Sequence, residues 1–71
     1  MRVTVRDQRG EEATFKVKPS TKMEKLMKAY AKLRDTSVGA LNFTNRKGQE
    51  IFSTDTCERI GIKDGEVMFV S

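Results

Sequence analysis

The sequence contains no histidine and a single cysteine, Cys57. With no second cysteine there is no intrachain disulfide, and this usage fits a reducing compartment. A thiol nucleophile needs a base beside it, and the residue that most often supplies one is absent. Cys57 therefore reads as a small, half-buried apolar residue. Long apolar runs are missing too. None approaches the roughly 20 residues of a membrane span. No apolar stretch follows Met1 and Arg2 as it would in a secretory leader. The five glycines form no phosphate-cradling run, and no cluster of metal ligands or paired acids stands out. These absences argue against an enzyme. They lead to the expectation of no cofactor, no metal and no membrane partner.

What remains is a short, charged and regularly patterned chain. Its 71 residues amount to one small domain, 1–71. Such a domain buries only about 60% of the surface its unfolded chain exposes, which leaves little room for an enclosed pocket. Charge is unevenly placed. Residues 1–34 carry ten Lys and Arg against four acids, +6, while residues 35–71 carry four against six, −2. The first half should attract acidic partners.

Met1, Val3 and Val5 alternate with Arg2, Thr4 and Arg6, the period of a strand with one face buried. Gln8-Arg9-Gly10 is a turn, and Ala13, Phe15 and Val17 then alternate with Thr14, Lys16 and Lys18. The two runs make a hairpin, and Pro19 stops its second strand. Thr21 and Glu24 fit a capping box. The helix they open carries Met23, Leu26, Met27, Tyr30 and Leu33 as its apolar stripe and ends near Arg34 or Asp35.

Val38, Leu41 and Phe43 lead into a third strand, and Gln49–Phe52 reads as a short fourth strand after the turn at Asn45–Gly48. Ser53, Thr54 and Asp55 offer caps for a brief helical turn over Thr56–Ile60. Asp64-Gly65 marks a turn before a final strand, Glu66–Val70. One amphipathic helix must cover one sheet, an α+β two-layer arrangement. The pattern leaves the strand order open.

The order of elements, ββαββ(short helix)β, resembles the β-grasp of ubiquitin. Four strings resemble the SUMO branch of that family. They are Phe15-Lys16-Val17-Lys18, Thr21 through Tyr30, Ser37-Val38 with Leu41-Asn42-Phe43, and Thr56 through Val67. The resemblance covers almost the whole chain and implies a mixed sheet of four to five strands packed on one main helix. It also has departures. Cys57 stands where SUMO usually has proline, and Leu33 where it often has arginine. SUMO is joined to lysines through a C-terminal Gly-Gly, and the sequence stops at Ser71 without one. Two expectations stand side by side: a SUMO-type modifier whose tail lies outside this sequence, or a SUMO-like docking domain of a larger protein that is never conjugated. No apolar-Lys-x-Glu string occurs, so no preferred acceptor lysine is expected.

The resemblance implies a peptide groove between the second strand and the helix. Its floor would be Phe15, Val17, Leu26 and Ala29, and its rim Lys16, Lys18, Lys22 and Lys25. A free strand edge over an apolar floor, rimmed by lysines, suits a short Val/Ile-rich strand flanked by acids. The family also implies a face for the SUMO-pathway conjugating enzyme at Arg6, Gln8, Gly61, Lys63, Asp64 and Glu66, and a nuclear or cytoplasmic, monomeric protein. A basic nucleic-acid-binding domain is the alternative from another class. Arg2, Arg6 and the helix lysines would meet phosphates, but the sheet lacks the paired aromatics of an RNA-stacking platform.

Overall fold

The computed structural model describes residues 1–71. Its strands are β1 (Arg2–Arg6), β2 (Glu12–Lys16), β3 (Phe43–Thr44) and β4 (Val67–Val70). Its helices are α1 (Met23–Leu33) and the single turn α2 (Cys57–Ile60), with a 3₁₀ turn at Val38–Ala40. The sheet order is β2-β1-β4-β3. β1 pairs antiparallel with β2, with Val3 opposite Phe15, and parallel with β4, with Val5 opposite Met68. The first and last strands are thus the central pair. Their inward residues Val3, Val5 and Met68 are fully buried against Met23, Leu26, Met27 and Tyr30 of α1. Each such side chain contributes about 1.5–3 kcal/mol by leaving water.

Fewer residues enter strands than the alternation suggests. The third strand is two residues long, and Gln49–Phe52 is no strand but a short arm leaving the Asn45–Gly48 turn, with a single bridge at Glu50. The Asn45 side-chain oxygen accepts from the N–H groups of Lys47 and Gln49 and closes that turn. Pairing then lasts only through the Thr44–Glu50 bridge and the Ile51 N–H, which donates to the Phe43 carbonyl. Asp55 next draws the chain away by accepting from the Phe52 N–H. Ile51 is buried, and Phe52 is left 57% exposed.

The caps also differ from the local expectation. No capping box forms at α1. Thr21 Oγ1 accepts instead from the Lys18 N–H, 3.2 Å away, across the Pro19-Ser20 turn. The free N–H groups of Met23 and Glu24 donate to the carbonyls of Asp55 and Ser53. Backbone from a distant loop replaces the side-chain cap. At α2 the cap is Thr56, whose side chain accepts from the Arg59 N–H, rather than the Ser53–Asp55 run. Cys57 begins that turn and is fully buried, deeper than its sequence context suggests.

Leu33 does not join the core; it is 58% exposed, and Ala31 is buried instead. At about 100° per residue the two lie on opposite edges of the stripe, each roughly 70–90° from its centre. On Ala31's side the chain turns back, and the Val38–Ala40 turn contacts α1. Leu33's side borders β2, an edge strand with no further neighbour.

α1 ends in a Schellman motif. The Thr36 N–H donates to the Ala31 carbonyl and the Asp35 N–H to the Lys32 carbonyl. That motif places Asp35 in the left-handed region, φ 53°. A side chain there is strained, and glycine is not. Asp35→Gly is expected to raise stability by about 0.5–1 kcal/mol, read as a higher urea midpoint. A lower midpoint would mean that the carboxylate has a stabilising partner in solution.

Candidate functional site

The edge strand β2 and the helix α1 run side by side and leave a cleft of about 500 Å³ between them. Both ends of the alignment are fixed by polar contacts. At one end Thr21 holds Lys18. At the other, Arg34 Nη1 donates to Glu11 Oε2 at 2.9 Å. The Arg34 guanidinium also lies 5.4 Å from the Tyr30 ring centre, and Nε donates to the Tyr30 hydroxyl. That hydrogen bond raises the Arg34 pKa further, burial opposes it, and Glu11 and Asp7 add to it.

The backbone of β2 is free on the cleft side. Val17 and the Met1 nitrogen exchange two hydrogen bonds, at 2.8 and 2.7 Å. In an antiparallel pair such exchanges alternate along the strand. Val17, Phe15 and Ala13 therefore spend their backbone groups on β1, and those of Lys16, Thr14 and Glu12 point to the open edge. The next outward N–H, that of Lys18, is already taken by Thr21. This leaves a free edge running from Glu12 to Lys16.

The cleft is lined by Phe15, Lys16, Val17, Lys18, Lys25, Leu26 and Ala29, together with Met1 and Thr21. Val17 and Leu26 are nearly enclosed and form its bottom. Half-buried Phe15 and exposed Ala29 offer the apolar surface a ligand could reach. Lys22 stands outside the cleft. It forms a bridge with Thr56 and borders a separate polar depression with Ser20, Glu24 and Lys28. Met1 and Thr21 are the residues that sequence reasoning missed. The signal for Thr21 was Lys18-Pro19-Ser20-Thr21 as a turn, with proline at its second position.

The second group of residues divides between two ends of the sheet. Gly61, Lys63 and Glu66 lie together beside the Asn45–Gln49 turn. Asp64 Oδ1 accepts from the Arg2 N–H at the start of β1. Arg6 and Gln8 lie at the other end of that strand, about 13 Å away at the rise of an extended chain. Gln8 there borders Asp7, Arg34 and Ser71.

No group of three or more His, Cys, Asp or Glu side chains is placed to hold a metal ion. Burial raises the pKa of the Cys57 thiol, with the nearby amino terminus opposing, so it stays protonated and unreactive near neutrality.

A parallel central pair made from the first and last strands, flanked by two antiparallel edges and crossed by one helix, defines the ubiquitin-like β-grasp class. A family model described as ubiquitin-2 like Rad60 SUMO-like matches residues 1–70. The chain belongs to this family of SUMO-like ubiquitin-fold domains. No curated protein matches it.

Proposed function

We propose that this domain works by binding rather than catalysis, and that the cleft between β2 and α1 takes short extended peptides with a Val/Ile-rich core and an acidic flank. One observation carries the reading: a strand edge with free backbone groups lies directly over a cleft with an apolar floor and a rim of Lys16, Lys18 and Lys25. A peptide strand would add to the sheet through main-chain bonds, set alternate side chains on Phe15 and Ala29, and place its acids by the lysines. Membership of the SUMO-like family favours the same site. A modifier and a docking domain within a larger protein would both use it. Contact with a SUMO-pathway conjugating enzyme forms the second part of the proposal. It rests on family membership and on the face shared by Gly61, Lys63 and Glu66.

The test is an NMR titration of the labelled domain with a peptide of four Val/Ile residues and three flanking aspartates. Shifts confined to Phe15–Lys18 and Lys25–Ala29 are expected, with a dissociation constant on the order of micromolar, about −8 kcal/mol. Shifts elsewhere, or none at millimolar peptide, would overturn the reading. Salt-dependent binding of a single-stranded oligonucleotide at Arg2, Arg6 and the helix lysines would then favour a phosphate-binding surface.

A further inference from the structure

The peptide-binding reading deepens when the far end of the cleft is considered. Leu33 is one of only two large apolar residues exposed on the whole surface. It follows Ala29 by one helical turn and Leu26 by two. At about 100° per residue, Leu26, Ala29 and Leu33 fall within roughly 60° of one another around the axis. Leu26 and Ala29 line the cleft, so Leu33 continues their flank toward the end where Arg34 meets Glu11.

Free lysines gather at one end, while the other end has charges of both signs. Lys16, Lys18 and Lys25 gather at the first end, and none of them is in an ion pair. At the second end the nearby cation, Arg34, is already held by Glu11 and Asp7. Glu12, on β2 itself, is exposed there and stands opposite Arg6 in the β1–β2 register. Lys32, exposed and outside any ion pair, lies about 20° around the helix from Lys25 and two turns further on, so the second end keeps one free helix lysine. An acidic ligand group is therefore attracted most strongly at the first end, where three free lysines line the cleft.

Resting on that binding reading, we infer that the groove recognises a longer motif of fixed polarity: acids at the Lys16–Lys18–Lys25 end, an apolar core over Phe15 and Ala29, and one further apolar side chain against Leu33. The lengths agree. Lys25 to Leu33 spans about 12 Å of helix, and Glu12 to Lys18 about 20 Å of strand. Six extended residues of a ligand cover the latter distance.

The experiment uses peptides with three aspartates, a four-residue Val/Ile core, and Leu, Gly or Asp just beyond the core. Each is made in both chain directions, since a free strand edge accepts either. They are titrated into the wild-type domain and into Leu33→Ala. Leu33 is exposed, so the substitution leaves the core intact, which the amide spectrum verifies. The Leu peptide is expected to bind roughly fivefold to tenfold more tightly than the Gly peptide. The Asp peptide should bind more weakly than the Leu peptide, the Leu33 methyls should shift only with the Leu peptide, and Leu33→Ala should abolish the preference. Equal binding of the Leu and Gly peptides, or a preference that survives Leu33→Ala, overturns this inference while leaving the groove itself standing. Failure of all the peptides to bind overturns both.

Discussion

Tyr30→Ala is expected to remove most of the stability of this domain. The Tyr30 side chain is only 2% exposed and packs edge-on against two rings, Phe15 at 6.3 Å and Phe43 at 5.8 Å between centroids. Phe15 belongs to β2 and Phe43 to β3, the two outer strands of the sheet. One side chain of α1 therefore ties both sheet edges to the helix, and its hydroxyl accepts from Arg34, which in turn holds the β1–β2 turn. Truncating a buried aromatic costs about 3–5 kcal/mol, and each aromatic pair adds about 0.5–1.5 kcal/mol beyond burial. A chain of this size holds about 4–11 kcal/mol in all. Urea unfolding followed by circular dichroism should show a midpoint near zero denaturant, with unfolded chains populated at 25 °C. Tyr30→Phe keeps both ring contacts and should lose only a small fraction of that. A loss for Tyr30→Ala below about 1.5 kcal/mol would show that the sheet holds without the ring.

The second large effect concerns the groove. The double variant Lys16→Glu, Lys18→Glu turns two attractions into repulsions. At about 0.2–1 kcal/mol per exposed pair, each counted once for the lost attraction and once for the new repulsion, the change is about 2 kcal/mol, or roughly 30-fold in affinity for an acid-flanked peptide. Stability should move the other way. Lys16 stands opposite Arg2 in the β1–β2 register, two like charges side by side. Glutamate there makes an opposite-charge pair, worth about 0.2–1 kcal/mol. A domain that binds more weakly while unfolding at a slightly higher urea concentration separates a role in recognition from damage to the fold. Equal weakening for neutral and acidic peptides would mean that the lysines do not read charge.

Raised salt should imitate part of this loss, since rim charges are screened over about 10 Å at 0.1 M. It should leave the backbone pairing along Glu12–Lys16 in place. The two contributions can therefore be separated on the same peptide.

The parts of the cleft were legible in the sequence because they follow short periods, while their meeting was implied only by the resemblance to the SUMO branch. Phe15 and Val17 alternate with Lys16 and Lys18 along one strand, and Leu26 and Ala29 share one flank of one helix. Lys22 shows the limit of that reading. Its helical position matches the same flank, but it precedes the first helical residue and is drawn into a bridge with Thr56. The capping box failed for a related reason. Thr21 and Glu24 had the right spacing, but a loop thirty residues away brought carbonyls to the helix start and freed Thr21 to bond Lys18. The six residues of the second surface separate because β1 carries Arg2 and Arg6 to opposite ends, and only the turn at Asp64 reaches Arg2.

By itself, the sequence determined the elements and the faces they bury. Alternation at Val3 and Val5 and again at Met68 and Val70, the helical stripe from Met23 to Tyr30, and the turn glycines Gly10, Gly48 and Gly65 are all local signals. The glycines each adopt positive φ. Tertiary structure alone decided which strand lies at the edge, which side of α1 is left open, and that Leu33 faces solvent. These outcomes depend on pairing between residues more than sixty positions apart, such as Val5 with Met68. A periodic pattern states that a face is buried and is silent on its partner. That choice is made only when all the faces compete for one core.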